Sequence, residues 1–400
     1  MARLLSLFSG CGGMDLGFEG GFNCLKKSVN QSIHTDWIKE NKGNFVELEK
    51  TMFELVFAND INPYAKLVWD KFFNKKEIYH LGSVVDLVKT EKFGLDIFPR
   101  NIDIVTGGFP CQDFSVAGKR LGFNSHKSHL GALRQSDSEE NRGLLYTWMK
   151  EVISITEPKV FIAENVKGLV NLSNAKDIIQ EDFKSATKDG YIVLARVLNA
   201  ADYGVPQNRQ RVIFIGFKKS ALTRNALQEL RKEDILEFYD PYPQKTHTQA
   251  PVTCEDAFID LLEPELSQDL AQRSYSCAKF MNNRSQGQSE INLKGLAPTI
   301  RAEHHGNIEF RRLDKINGGK NEPGLKQRRL SVRECARLQT FPDNYEFVLS
   351  GKVSASQAYR LIGNAVPPLL AYNLAKNLEK KWTLYFGDEK WLFRQIEKLL

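Results

Sequence analysis

The stretch LLSLFSGCGGMDLGFEGGF, residues 4–22, decides the fold. A short apolar run at 4–8 leads into a glycine-rich turn at 8–13, and an amphipathic stretch begins at Met14 and Asp15. This order predicts a strand, a tight turn and a helix whose first N–H groups face the turn, where a ligand can approach bare backbone. A tight strand–helix turn that binds nothing would use the same glycines. Asp15 follows this turn, and because its carboxylate would repel a pyrophosphate, it favours a positively charged ligand there.

Four further apolar runs continue this pattern along the chain. They are LVFAND at 55–60, IDIVTGG at 102–108, KVFIAEN at 159–165 and RVIFIGF at 211–217. Amphipathic stretches separate most of them, which predicts an α/β protein with a parallel sheet covered on both faces. Ligands of such sheets gather at the carboxyl ends of the strands. Asp60 closes the second run, where a carboxylate can bind ribose hydroxyls, and its distance from the first turn predicts an insertion near residues 25–50.

The pattern ends near residue 218, which predicts three parts of the chain. Residues 1–217 form a first domain, 218–335 a smaller irregular lobe rich in Gly and Asn, and 336–400 a segment that returns to the first domain. A helix is expected to start at Ser331, because Glu334 stands at the capping-box spacing.

Composition sets limits on the class of protein. The chain has 400 residues, of which 42% are hydrophobic and 26% charged, and a mean hydropathy of −0.38, so it can bury a sizeable core. It has no apolar run of the roughly 18 residues that span a bilayer, and its start resembles no signal peptide, so we expect a cytoplasmic protein without a membrane partner. Six cysteines form neither a disulfide framework nor paired CxxC motifs, so we expect free thiols and no metal site.

The net charge of +6 is concentrated in one window. Residues 281–330 hold ten Lys or Arg and five acids. A solvated basic loop and a phosphate-binding surface explain this excess equally well.

Cys111 follows the apolar run at 102–108 and comes directly after Pro110. A lone cysteine is more often a buried, inert residue than a nucleophile, and only its thiolate reacts. Beyond a buried strand its thiol can reach a cleft, and its sequence neighbours favour a nucleophile here.

Six motifs occur in order along the chain. They are FSGCGG at 8–13, GFPCQ at 108–112, ENV at 164–166, QNRQR at 207–211, RECARLQTFP at 333–342 and GNAVPP at 363–368. Together they resemble DNA (cytosine-5) methyltransferases of the bacterial restriction–modification type, over nearly the whole chain except residues 218–330. The resemblance implies a Rossmann-like S-adenosylmethionine-dependent methyltransferase fold, with a smaller target-recognition domain over 218–335.

The resemblance also implies a mechanism on a cytosine that has been flipped out of the duplex. Cys111 would add to C6, and C5 would then accept the methyl group of S-adenosylmethionine, leaving S-adenosylhomocysteine. Glu164 would protonate or hydrogen-bond N3, unless it is only an acid that caps or pairs at a strand end. Arg209 is expected to hold the base or its phosphate, and Arg211 to support the site.

Two sets of binding residues follow from the same resemblance. The cofactor pocket would contain Phe8, Gly10, Cys11, Gly12, Gly13, Asp60, Ile61, Ser83, Phe109, Pro110, Asn364 and Ala365. The DNA-binding residues would be Gln112, Ser115, Lys119, Arg120, Thr299, Ile300, Arg301, His304, His305, Arg311 and Arg312. Residues 113–143 are expected to close over the flipped nucleotide.

The implied partners are double-stranded DNA and, functionally, a restriction endonuclease, with the protein itself a monomer. Two alternatives keep the fold: a tRNA cytosine-5 methyltransferase and a catalytically silent DNA-binding regulator. A lobe of over 100 residues argues against the first, and the presence of Cys111, Glu164 and Arg209 argues against the second. A nicotinamide oxidoreductase would explain the first turn but not the PCQ, ENV and QNRQR motifs.

Overall fold

A computed structural model describes residues 1–110, 145–171, 174–282, 286–302, 305–320 and 324–387, with the backbone alone for His305. The strands are β1 Ala2–Leu7, β2 Asn23–Leu25, β3 Ile38–Lys42, β4 Phe45–Leu48, β5 Phe53–Asp60, β6 Tyr79–Leu81, β7 Ile104–Gly108, β8 Val160–Val166, β9 Tyr191–Asn199, β10 Gln210–Lys218, β11 Phe310–Arg312 and β12 Arg328–Arg329. The helices are α1 Gly13–Glu19, α2 Pro63–Phe73, α3 Val84–Lys92, α4 Leu145–Thr156, α5 Ala175–Lys184, α6 Arg224–Glu229, α7 Cys254–Ala257, α8 Leu270–Arg273, α9 Val332–Leu338, α10 Ala355–Asn364 and α11 Pro368–Phe386.

A seven-stranded sheet forms the centre of the molecule, in the order β6-β5-β1-β7-β8-β10-β9. The pairs among β1, β5, β6, β7 and β8 are parallel, whereas β10 is antiparallel to both of its neighbours. The carboxyl ends of the five parallel strands and the start of β10 therefore lie at one edge. The α/β prediction is confirmed, with one strand reversed, because a short connection without an α-helix joins β9 to β10.

Helices cover both faces of this sheet. Side chains of α3, α4 and α5, such as Val85, Met149 and Ile179, share one core cluster with Leu5 of β1. Side chains of α1, α2 and α11 belong to the other cluster, on the opposite face. Because successive side chains of a strand point to opposite faces, both faces of β1 are buried, as its continuous apolar run predicts.

The insertion expected near residues 25–50 is a three-stranded antiparallel sheet in the order β2-β4-β3. It lies between α1 and β5 in the chain, which explains the long interval between the first turn and Asp60.

The packing of residues 218–247 differs from the expected domain boundary at 218. The Tyr242 hydroxyl donates to the Ile213 carbonyl of β10, and the Tyr385 hydroxyl of α11 donates to the Tyr239 carbonyl, at 2.9 Å each. These residues thus pack on the first domain, and the irregular lobe starts nearer to α7. Its described regular structure consists of α7, α8 and the two-stranded ribbon of β11 and β12.

Helix α9 starts at the residue that the sequence indicated. Ser331 is its N-cap, and Ser331 and Glu334 form a reciprocal capping box. The helix ends at Leu338, and Thr340 then adopts a left-handed conformation with φ of 65°. Within the described residues, no helix combines the length and the apolar character needed to cross a bilayer.

Candidate active site

The turn after β1 is held in a specific backbone shape at the carboxyl edge of the sheet. Phe8, Gly10 and Gly12 have φ of 51°, 54° and 79°, the region that favours glycine. The Gly10 N–H donates to Asp60 Oδ2 at 2.9 Å, and the Tyr79 hydroxyl donates to the Gly10 carbonyl at 3.0 Å. Residues at the end of β5 and at the start of β6 thus fix the backbone of the turn.

The glycines of this turn serve different purposes. A Cβ at Gly12 would lie 2.7 Å from ring atoms of Trp69 and Phe73, and one at Gly13 would lie 2.2 Å from the Val366 carbonyl oxygen. A Cβ at Gly10 would meet nothing within 4 Å. Gly12 and Gly13 therefore allow close packing, whereas Gly10 borders open space beside the turn.

Two side chains in and directly after the turn, Cys11 and Asp15, point into the protein. Asp15 is fully buried and accepts hydrogen bonds from Ser6 Oγ at 2.5 Å and Trp69 Nε1 at 2.9 Å. Burial raises the pKa of Asp15 to about 6. The expectation that Asp15 faces a cationic ligand is therefore wrong. The Cys11 thiol is also buried, 3.5 Å from the Leu361 carbonyl oxygen, and burial raises its pKa far above the usual range.

The residues expected to contact ribose and adenine lie at the ends of β5 and β6. Asp60 Oδ1 accepts the Asn62 N–H at 2.8 Å, and burial raises the pKa of Asp60 although backbone hydrogen bonds oppose the rise. The side chain of Ile61 is 45% exposed beside it. Ser83 is the N-cap of α3, and its hydroxyl accepts the Val85 N–H at 3.2 Å. Asp60 and Ser83 therefore already bind backbone groups of the protein.

Glu164 and Arg211 form an ion pair at the same edge, between β8 and β10. Arg211 Nε lies 2.7 Å from Glu164 Oε1, and both side chains are about nine-tenths buried. Glu164 is in register with Gly108 of β7, and a Cβ at Gly108 would lie 3.1 Å from Glu164 Oε2. The second carboxylate oxygen thus lies toward the strand that leads to Cys111.

Several expected site residues fall outside the described residues. They are Cys111, Gln112, Ser115, Lys119, Arg120 and His304, and for His305 the side chain is also outside. Pro110 is the last described residue before Cys111 and is half-buried. Phe109 is buried, and its carbonyl accepts a hydrogen bond from Asn165 Nδ2 of the ENV motif at 3.2 Å.

The C-terminal motif meets the first turn. Asn364 is the exposed last residue of α10, and Ala365 follows it. The Ala365 Cβ would lie 3.3 Å from a Cβ at Gly13. Sequence positions more than 350 residues apart thus form one wall at the edge of the sheet.

Arg209 differs from the expectation that it holds the base or its phosphate. Its side chain is 1% exposed, and its guanidinium donates to the carbonyls of Ile300, Gly363 and Ala365 at 2.8 to 3.0 Å. Gln207 and Gln339, which the sequence did not single out, are fully buried beside it. The only sequence signal for them was their position inside two of the quoted motifs.

The expected DNA-binding residues of the lobe divide into two groups. Thr299 and Arg301 are partly exposed: Thr299 Oγ1 donates to the Asn208 carbonyl at 2.7 Å, and the Arg301 guanidinium donates to Gln286 Oε1. Ile300 is buried, with 1% exposure.

Arg312 is buried in the lobe, and the neighbouring Arg311 is mostly buried. Arg312 makes a bidentate ion pair with Glu263, with hydrogen bonds of 3.0 and 2.6 Å. Arg311 lies over the ring of Phe258, and burial lowers its pKa. Arg312 therefore does not match the expectation that it faces DNA, because it compensates the charge of Glu263. The expectation for Arg311, which keeps about a fifth of its side chain exposed, stays a prediction.

Comparison with known proteins identifies the family. The model of the C-5 cytosine-specific DNA methylase family matches residues 2–380. The chain is 32% identical to the Type II methyltransferase M.BspRI of Lysinibacillus sphaericus, over 96% of this chain and 83% of that protein. It is 30% identical to the Type II methyltransferase M.NgoPII of Neisseria gonorrhoeae, over 94% and 95% of the two chains.

Solved structures show the same fold at lower identity. The S. pombe Dnmt2 methyltransferase superposes with a TM-score of 0.58 at 17% identity, over 95% of this chain and 99% of that one. The Entamoeba histolytica methyltransferase EhMeth gives 0.59 at 14% identity, over 96% and 99%. The resemblance read from the six motifs is thereby confirmed, and the chain belongs to the C-5 cytosine-specific DNA methylase family.

Proposed function

We propose that this protein transfers a methyl group from S-adenosylmethionine to C5 of a flipped-out cytosine in a specific double-stranded DNA sequence, through a covalent bond between Cys111 and C6. The observation that carries the proposal is the Glu164–Arg211 ion pair. Glu164 is in register with Gly108, which precedes Cys111 by three residues. An acid, a guanidinium and a thiol are the groups that this chemistry requires.

The proposed steps form and break bonds at C6, N3 and C5 of the cytosine ring. The Cys111 thiolate adds to C6, and the electron pair moves toward N3, where Glu164 supplies a proton or hydrogen bond. Arg211 holds the Glu164 carboxyl by Oε1, so Oε2 is the oxygen that meets the ring. C5 then takes the methyl group with release of S-adenosylhomocysteine, and the N3 proton returns to Glu164. Loss of the C5 proton to a base expels the Cys111 thiolate and restores the aromatic ring.

The residues at the sheet edge fit S-adenosylmethionine, which supplies an electrophilic methyl group when it is bound. Gly10 borders open space, and the apolar side chain of Ile61 is exposed at the rim, as suits the face of an adenine. Asp60 can accept ribose hydroxyls in addition to its two backbone N–H groups, because a carboxylate has about four acceptor positions.

Replacing Gly10 with Ala tests this assignment. The Cβ would project into the space where we propose the cofactor, and a left-handed Ala costs about 1 kcal/mol. We expect the Kd for S-adenosylhomocysteine, measured by calorimetry, to rise about 10-fold or more with a small loss of Tm. An unchanged Kd would place the cofactor elsewhere.

The biological setting proposed for this activity is protection of host DNA from a cognate restriction endonuclease in a bacterial cytoplasm, with the methyltransferase acting as a monomer. The curated relatives are named Type II methyltransferases, which supports this setting. The partly exposed Thr299 and Arg301 support a DNA-facing surface on the lobe.

Three experiments decide the function. Bisulfite sequencing of a bacterial host that expresses the gene should show 5-methylcytosine at one sequence, and purified enzyme should transfer tritiated methyl groups to that DNA and not to tRNA. Duplexes with 5-fluorocytosine at the target should then form an SDS-resistant adduct, because fluorine blocks the last step. Cys111→Ser should bind the DNA without forming the adduct. Methylation of tRNA alone, or full turnover by Cys111→Ser, would overturn the proposal.

A further inference from the structure

Four segments of the chain meet around the side chain of Arg209. They are residues 206–209, the lobe segment 297–301, the end of α9 at Leu338 and Gln339, and the end of α10 at 362–365. We call the buried side chains of Gln207, Arg209 and Gln339 the junction, since each of them hydrogen-bonds more than one of these segments.

Arg209 joins the lobe to the C-terminal motif. Nη1 donates to the Ile300 carbonyl at 3.0 Å, while Nη2 donates to the carbonyls of Gly363 and Ala365 at 2.9 and 2.8 Å. A guanidinium presents its donors in a rigid planar fork, so these bonds fix the distance between residues 300 and 363–365. A lysine ammonium could not reproduce that spacing, because it is one compact donor group on a flexible stem.

The two glutamines extend the junction. Gln207 Oε1 accepts the Ile300 N–H at 3.1 Å, and Gln207 Nε2 donates to the Leu338 carbonyl and to Gln339 Oε1 at 3.2 Å. Gln339 Nε2 donates to the Ile362 carbonyl at 2.7 Å. Ile300 is therefore held through both its N–H and its carbonyl, by neighbouring residues of one motif.

The backbone strengthens the same connection. The Asn208 N–H donates to the Ala297 carbonyl at 2.8 Å, the Ala297 N–H donates to the Pro206 carbonyl at 3.0 Å, and Thr299 Oγ1 donates to the Asn208 carbonyl. Arg211, which holds Glu164, follows Arg209 by two residues. On the other side, Val366 packs on Gly13 of the first turn.

We infer that Arg209 is a positioning residue. It holds the lobe segment 297–301 at a fixed distance from Glu164 and from the first turn. Contacts between the lobe and DNA therefore determine where the target cytosine enters the site. The inference rests on the proposed function. It assigns to Arg209 a role in target discrimination rather than contact with the base.

Arg209→Lys tests the inference, with kcat and KM measured on a cognate duplex and on duplexes with one base pair changed. Loss of the fixed spacing should raise KM for cognate DNA about 10-fold and lower the cognate-to-changed ratio of kcat/KM about 10-fold, with kcat within about 3-fold. Hydrogen exchange should become faster at 297–301 and 361–366, a readout that needs no activity. Gln207→Met, an uncharged change at the same junction, should act in the same direction.

Arg333→Lys is the matched control, because Arg333 of α9 is an equally buried arginine, 2% exposed, that does not belong to the junction. It pairs with Asp269 at the start of α8. The substitution should lower Tm without changing the discrimination ratio. If Arg209→Lys instead lowers kcat about 100-fold with KM and hydrogen exchange unchanged, Arg209 contacts the base directly. If Arg333→Lys loses as much discrimination as Arg209→Lys, the effect is one of general stability. If the wild-type protein methylates no DNA, the proposed function fails, while the exchange data still decide whether Arg209 holds the segment.

Discussion

Two carboxylates near the sheet edge have opposite surroundings. Glu164 lies between β8 and β10 with a guanidinium 2.7 Å away, in register with the strand that leads to Cys111. Asp15 lies beneath the first turn and accepts bonds only from neutral donors, a hydroxyl and an indole, among the contacts of the described residues. The first arrangement suits an acid that meets a substrate, and the second suits a group that shapes the protein.

Glu164→Gln should reduce kcat by about 10²- to 10⁴-fold, because the amide cannot protonate N3 of the cytosine. The affinity for cognate DNA, measured by fluorescence anisotropy, should change little. Glu157→Gln is the control, since Glu157 is a half-exposed carboxylate that pairs with Lys218 at the far edge of the sheet. Retention of turnover in Glu164→Gln would exclude the acid role.

Asp15 should make stability depend on pH. Its folded pKa of about 6 lies above the ordinary value of 3.8, so the stability from its neutral form is complete below about pH 4 and is lost as the pH rises through 6. Relative to Asp15→Asn, the wild-type free energy of unfolding should increase by about 1 kcal/mol when the pH falls from 7.5 to 5. Urea unfolding at each pH measures the difference, and a difference that is constant with pH would contradict the assignment.

At the level of elements, buried ion pairs connect the few regular elements of the irregular lobe. Arg328 bridges Glu263 and Glu334, and Arg312 shares Glu263. These contacts join α9, β11 and β12 to the segment between α7 and α8. Arg312 and Arg328, two of the ten basic residues in the 281–330 window, are therefore neutralised internally. Neither of the two explanations that the sequence left open applies to these two arginines.

The lobe thus offers a paired test of two arginines. Arg312→Met removes one partner of Glu263, which keeps Arg328 as the other, so the free energy of unfolding should fall by about 1–3 kcal/mol. Arg301→Ala, at a partly exposed position, should leave stability within about 0.5 kcal/mol and weaken cognate DNA binding, with about 1–3 kcal/mol less discrimination if a guanine is read. Thermal unfolding and anisotropy at two salt concentrations separate the effects. The reverse pattern would contradict the proposal that Arg301, and not Arg312, faces DNA.

At the level of the whole molecule, the two ends of the described chain close on each other. Helix α1 packs on α11, and a Cβ at Gly17 would lie 2.4 Å from Ala371 Cβ and from the Pro368 carbonyl oxygen. Helix α11 starts at Pro368, the last residue of the GNAVPP motif that meets the first turn. The sheet edge is therefore complete only when the C-terminal part has returned.

Gly17→Ala should separate these helices. Ala improves helix propensity by about 1 kcal/mol, but the collision at α11 should outweigh this gain and give a net loss of about 1–3 kcal/mol, together with weaker cofactor binding. Gly82→Ala is the control for stability, since a Cβ there meets nothing within 4 Å. Tm and the free energy of unfolding from urea denaturation check the result, and a stabilised Gly17→Ala would show that the two helices are not closely packed.

Local patterns were sufficient for much of the fold. The apolar runs of β1, β5, β7, β8 and β10, the glycine turn and the capping box of α9 appear where the sequence indicated. Strands β6 and β9 were not predicted, because both lie at the edges of the sheet, where short length or exposed positions break the apolar pattern. The reversal of β10 was also missed, since a strand's composition does not record its direction.

The sequence by itself determined the class of fold, the order of the motifs and the family, because these depend on residue type and on spacing along the chain. Only the tertiary structure decided which polar side chains are available for chemistry. Arg209 and Arg211 look alike in the sequence, yet one binds three buried carbonyls and the other binds Glu164. The physical reason is desolvation, because a buried charged group needs hydrogen-bond or ionic partners. Residues 300 and 363–365, which supply these partners to Arg209, are distant from it in the chain.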